Sequence, residues 1–226
     1  MRDPMERFTE HIERHLRAVA GLRRDLRAVL VSADLLAAAL GRGQRILLCG
    51  AGASSADAGH IATDLAGCLP GERLGLPVLV LGADLAPVTG VDREPAGANA
   101  FARQIEAFAR PGDVVVGIAA GAECEAVSAA VTAAARQGCR TVGLLGGAGG
   151  ELAGRVERAV VVEADDAATV RQCHLLIGQM WCARVGARLA AEALASSAPH
   201  LDSAFGICDE AEAAARVRAA RAAGLR

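Results

Sequence analysis

The chain contains no lysine; all 24 of its Lys/Arg-type basic residues are arginine. Chemistry that runs through a lysine amine is therefore excluded, both a Schiff base with a carbonyl substrate and the phosphate-gripping lysine of a P-loop. Tyrosine is also absent and aromatic residues make up only 2% of the sequence, so few side chains could stack on bases. With a formal net charge of -2 there is no positive field for a phosphate backbone, and nucleic-acid binding is not expected. No run approaches the roughly 20 consecutive apolar residues of a membrane span. Although 53% of the residues are hydrophobic, apolar runs such as 114–120 and 159–162 are cut short by Gly, Asp, Glu or Arg. The first residues, MRDPMERFTEHIERHLRAV, mix acids with arginines and lack the apolar core of a signal peptide, which points to a cytoplasmic protein with no membrane partner. The seven cysteines are odd in number, irregularly spaced and without a C-x-x-C pair. They read as buried thiols of a reducing compartment rather than as disulfides or a zinc site.

What is present is the pattern of an α/β protein. A chain of 226 residues suits one domain, 1–226, divided here into a helical segment (5–40), an α/β core (45–195) and a carboxyl-terminal extension (196–226). Over 5–40, Phe8, Ile12, Leu16, Val19, Leu22, Leu26, Val29, Leu36 and Leu40 recur at helical spacing, which predicts a long helix or a broken pair. Five short runs rich in Val, Leu and Ile come next, at 45–49, 76–81, 113–118, 141–145 and 158–162, separated by segments of helical character. Runs buried on both faces and joined by helical crossovers require a parallel sheet, and hence a three-layer α/β/α sandwich with five parallel strands between long first and last helices. The last helix is expected over 167–195, and a short Ala/Arg-rich helix over 210–223. The apolar faces of 8–40 and 170–189 exceed what one sheet can cover, which predicts a homo-oligomer, most simply a tetramer.

In an open α/β sheet ligands bind beyond the carboxyl ends of the strands. The most informative loop there is ILLCGAGASSADAGHIATDL at 46–65, a strand that runs into small residues and then a helix. Gly50 and Gly52 allow close backbone approach, Ser54 or Ser55 can cap the helix, and Asp57 is expected in its first turn. The G-x-G-x-x-S spacing only loosely resembles a dinucleotide fingerprint, because Ser55 replaces the third glycine and no acid ends the second strand. Further on, His60 and Asp64 stand four apart, able to share a hydrogen bond, orient a general base, offer two metal ligands, or simply pair at an interface. Asp165 and Asp166 sit at the expected start of the last helix as caps, and Arg171 and His174 share a face of it. Arg171 could pair with an acid or hold a phosphate. Cys124 reads either as a small buried thiol or, at a helix start that would lower its pKa, as a catalytic one.

Three segments carry a resemblance: GAGASSADAGHIATDL at 50–65, FARQIEAFARPGDVVVGI at 101–118, and TVGLLGGAGGELA with EADDAATVRQCHLLIG at 141–153 and 163–178. On these the chain resembles the sugar isomerase (SIS) domain family, and within it the sedoheptulose 7-phosphate isomerases and their non-catalytic relatives that bind partner proteins. The resemblance implies a flavodoxin-like strand order, a sugar or sugar-phosphate ligand, a homotetramer, and aldose–ketose isomerisation through an enediol; the alternative it implies is a non-catalytic, sugar-phosphate-responsive or protein-binding module. By position it implies that His60 and Asp64 are the catalytic pair, Asp64 standing where the family has a glutamate. It places Gly52, Ser54, Ser55, Asp84, Glu123, Cys124, Asp166, Arg171 and Gln179 around the substrate. Gln179 stands where the family has its acid/base histidine, and Arg171 where it has a glutamine. The family's Ser-Thr-Ser-Gly-Asn-Ser run is here Ala119-Ala120-Gly121-Ala122-Glu123-Cys124, with hydroxyl donors lost and an acid gained. Zinc occurs in some members of the family, but a cation at 171 makes a metal implausible here, so neither metal nor cofactor is expected.

Overall fold

The computed structural model describes residues 3–67, 75–83, 100–121 and 124–197, with side chains of the last helix to residue 193. The chain divides into two units, Met1–Arg188 and Leu189–Arg226; the sheet and the described helices belong to the first, except that the last helix runs on to Ser197. The short helix expected over 210–223 lies outside the described residues, as do Cys68 and Cys208.

The helical spacing over 5–40 resolves into two helices, α1 (Pro4–Leu22) and α2 (Leu26–Gly41). Pro4 suits the first turn of α1, and the Asp3 carboxylate accepts from the Met5 amide at 3.1 Å. The charged run Arg23-Arg24-Asp25 breaks the apolar pattern, and there the amides of Arg24 and Asp25 turn back onto the carbonyls of Gly21 and Leu22. The two helices are buried very differently. α2 buries Val29, Ala33, Leu36, Ala37 and Leu40, while α1 leaves Met5, Phe8, Ile12 and Leu16 59–66% exposed along one stripe.

The strands are β1 (Ile46–Gly50), β2 (Val78–Val80), β3 (Val114–Ala119), β4 (Arg140–Gly146) and β5 (Arg158–Val162). All neighbouring pairs are parallel, in the order β2-β1-β3-β4-β5, which is the doubly wound arrangement. β1 and β3 are buried at every residue because helices cover both faces. On one face lie α2, α3 (Ala53–Ala66) and α7 (Ala167–Ser197); on the other, α4 (Ala100–Phe108), α5 (Glu125–Arg136) and α6 (Gly150–Arg155). The second face packs Ile105, Val127, Val131 and Ala134 onto Leu47, Val115 and Leu145. Where the spacing predicts a strand over 76–81, only Val78–Val80 forms. β2 is the sheet's edge, bonded to β1 alone, and Leu79 remains 47% exposed.

The amino edge of the sheet is locked by one buried acid. Asp113, just before β3, accepts from the Arg45 amide at 2.9 Å, from Arg45 Nη2 at 2.7 Å and from the Arg110 amide at 2.9 Å. The site therefore has to be sought at the opposite, carboxyl edge, where α3 and α7 begin.

Candidate active site

β1 ends at Gly50, and a Cβ there would collide with the Ser54 carbonyl oxygen. The chain then turns at Gly52 with φ 57 and ψ -129, backbone that side chains rarely adopt. The two glycines are thus demanded by the turn itself. Neither serine caps the helix as expected: the N-cap is Gly52, with no side-chain hydrogen bond. Ser54 is buried, and the Ser55 hydroxyl donates backwards to the Gly52 carbonyl at 2.7 Å. Ser55 also opens onto a groove of about 460 Å³ that is shared with Thr63, Val80 and Gly82.

Asp57 lies one turn deeper than expected, as the fifth residue of α3, and its side chain is only 3% exposed. Buried charge demands a partner, and α7 supplies it. Arg171 Nε and Nη2 each donate to one Asp57 oxygen, at 2.8 and 2.9 Å, while 34% of the Arg171 side chain stays accessible. Hydrogen bonding to Asp57 holds the guanidinium above its already high ordinary value, so it is charged at every working pH. This pair is the feature that the sequence left open. Its signal was an acid on the buried stripe of α3, alongside Ala58, Ile61, Ala62 and Leu65.

Farther down the same two helices lies a second group. His60 Nε2 stands 3.4 Å from Asp64 Oδ2 on the exposed side of α3. At 1.5 Å per residue these side chains sit about 10 and 16 Å along the axis from Ala53. The pair is therefore not at the start of the helix. α7 meets α3 beside it, for a Cβ on Gly178 would come within 2.5 Å of the Ile61 side chain. His60 and Asp64 flank Ile61, and Gln179 follows Gly178 on an exposed position. The resemblance's catalytic positions thus border one contact between α3 and α7.

The remaining candidates are scattered. Cys124 is the N-cap of α5, half-buried and without a capping hydrogen bond. Burial, with Cys124 as a second cause, pushes the Cys49 thiol up to about 12, so Cys49 is no nucleophile. Of the five described cysteines only Cys49 and Cys173 are fully buried, fewer than composition suggests. Asp166 does act as a cap: it accepts from the Thr169 amide at 2.9 Å and faces Arg14 at 3.6 Å. His174 is completely buried near Asp57, Arg171 and the Leu145 carbonyl, yet neither ring nitrogen has a well-aligned partner. Asp84 and Glu123 lie outside the described residues.

A zinc ion, which the resemblance allows, does not fit these donors. Arg171 brings a cation to a ligand position, and beside it only His60 and Asp64 are good donors. Among the described residues no group of three or more His, Cys, Asp or Glu could hold a metal, and none of their helices is long and apolar enough to cross a membrane.

The sequence pattern of the SIS domain matches residues 7–146. A phosphoheptose isomerase of Geotalea daltonii is 38% identical over 189 residues, covering 83% of this chain and 98% of that protein. One from Nitratiruptor sp. is 35% identical, covering 78% and 97%. Among solved structures, a phosphoheptose isomerase from Neisseria gonorrhoeae superposes with a TM-score of 0.76 at 26% identity, over 82% of this chain and all of that one.

Proposed function

The chain belongs to the SIS-domain family, among its phosphoheptose isomerases, and from that premise we propose that it binds a phosphorylated sugar resembling sedoheptulose 7-phosphate and isomerises it slowly between aldose and ketose. The observation that carries the reading is the His60–Asp64 pair, a titratable ring and a carboxylate 3.4 Å apart on an accessible helix face. In this reading Asp64 removes the proton on C2 of the aldose and returns it to C1. His60 orients the carboxylate and moves the proton between the O1 and O2 hydroxyls, so the sugar is neither oxidised nor reduced overall. Gly52, Ser55 and Cys124 line the approach at the carboxyl edge, and Ser54 shapes the turn beneath them.

The apolar stripe of α1 and the exposed border of α3 and α7 support a homotetramer in which a neighbouring copy covers the helix surface beside Gln179. A reducing cytoplasm agrees with the free thiols of Cys49, Cys124, Cys139 and Cys173. A second reading, a sugar-phosphate-responsive module that binds a protein partner without turnover, is favoured by one observation. Gln179 carries no titratable group where the family's second proton carrier stands, so the acid/base pair is reduced to one helix.

Incubation with sedoheptulose 7-phosphate in heavy water separates the two readings. Enediol chemistry exchanges the carbon-bound proton with solvent, so deuterium should enter the sugar in an enzyme-dependent manner. Binding without deuterium uptake rejects the isomerase reading and leaves the module.

A further inference from the structure

We propose that Arg171 is an oxyanion site at the carboxyl edge of the sheet, built on Asp57 and taking the phosphate or carboxylate of the sugar ligand through the guanidinium edge that Asp57 leaves free. The inference rests on the sugar-ligand reading and names the group that the ligand brings to this place.

The pair is asymmetric. Both Asp57 oxygens are occupied and its side chain is 3% exposed, whereas Arg171 spends Nε and Nη2 on the acid and keeps about a third of its surface. Guanidinium has five N–H donors, and only two are used in these bonds. Nη1 has no partner among the described residues. The acid is hidden and the cation open, which suits a fork held rigid for a planar or tetrahedral oxyanion.

Direction supports the assignment. Asp57 and Arg171 are each the fifth residue of their helices, and helical side chains lean toward the amino terminus. Both helices start at the carboxyl edge, so the two side chains lean toward the place where open α/β sheets bind ligands. The partial positive ends of α3 and α7 add to the guanidinium there. The nearest acid at the start of α7, Asp166, is already engaged by Arg14 and the Thr169 amide. The loop after β3 offers little competition, since Ala119, Ala120 and Gly121 carry no hydroxyl.

A pair that merely clamps α3 to α7 would work equally well without charge, and that difference is testable. Arg171→Gln alone strands a buried carboxylate, so the informative protein is the double variant Asp57→Asn/Arg171→Gln, with thermal unfolding to confirm its fold. Calorimetric titration of both full-length proteins uses four probes: glucitol, gluconate, glucitol 6-phosphate and 6-phosphogluconate. The wild type should prefer an anionic probe over glucitol, and the double variant should lose that preference by about tenfold or more with glucitol unchanged. Loss confined to gluconate assigns a carboxylate, and loss confined to glucitol 6-phosphate assigns a phosphate. Equal binding of the anions by both proteins overturns the site while leaving the sugar-ligand reading intact. Failure of the folded wild type to bind any of the four overturns both.

Discussion

Gly178 lies so close to Ile61 that a Cβ on the glycine would sit 2.5 Å from Ile61 Cγ1 and 3.1 Å from Cδ1. α7 thus rests its backbone on the Ile61 side chain of α3, and this contact sets the spacing between Asp64 and Gln179. Gly178→Val should lower stability by about 1–3 kcal/mol, because overpacking outweighs the better helix propensity. Chemical denaturation reads the change; an unaltered midpoint would mean that the helices can part at no cost.

His174 makes the fold sensitive to mild acid. Burial, outweighing the nearby Leu145 carbonyl and Asp57, pushes its pKa down to about 4, against about 6.5 for a free imidazole. The unfolded chain then binds the proton first, so stability is full above about pH 6.5 and falls as pH drops toward 4. The loss by pH 4 is about 3 kcal/mol at 1.36 kcal/mol per unit. His174→Leu removes the titrating ring from a position where its nitrogens have no well-aligned partner, so its stability curve should lose its slope between about pH 6.5 and 5, above the range where the paired carboxylates titrate. A slope retained by the variant would assign the acid sensitivity elsewhere.

Asp113 acts at lower pH and with a different cause. Burial tends to raise its pKa, but the bonds from the Arg45 amide and guanidinium and from the Arg110 amide prevail, and the carboxyl is held below its ordinary value. Its contribution is therefore complete above about pH 4 and lost as pH falls through the depressed folded value. Asp113→Asn should cost about 2–3 kcal/mol at neutral pH and narrow its gap to the wild type below pH 3, measured by urea unfolding across pH.

Pattern in the sequence reaches the sheet and its helices because burial on both faces forces it: β1 and β3 are apolar at nearly every position and are buried throughout. It overruns β2, where only Val78–Val80 pair with β1 although the apolar run is longer, while β5, the other edge, forms over its full run. The glycines of the first loop were legible as a turn, but Ser54 was not legible as a buried residue, since a small polar side chain suits a cap and a tight bend alike. The Asp57–Arg171 pair joins residues 114 apart in sequence, and no local spacing announces such a partner. His60 and Asp64 were legible as a pair at i and i+4; their distance down the helix from the loop follows only from where α3 starts.

The reaction itself turns on position 179. Gln179 cannot exchange protons at neutral pH, and Arg171 is committed to Asp57, so neither α7 residue is a proton carrier for a ligand beside His60 and Asp64. On α3, Asp64 is 36% and His60 52% exposed, accessible enough to meet a substrate. If Asp64 is the base, Asp64→Asn should abolish the slow deuterium exchange of the wild type while leaving phosphosugar affinity within a few-fold. Gln179→His restores a titratable group directly beyond Gly178, and a well-placed general acid or base is worth about 10²- to 10⁴-fold. The variant should therefore accelerate interconversion of sedoheptulose 7-phosphate with its aldose, with a rate that rises as the new imidazole loses its proton between about pH 6 and 7. Because the shorter Asp64 has one methylene less reach than a glutamate, Asp64→Glu combined with Gln179→His should be faster still. Wild-type exchange that survives Asp64→Asn would remove Asp64 from the mechanism, and a Gln179→His protein no faster than wild type would show that position 179 does not face the substrate.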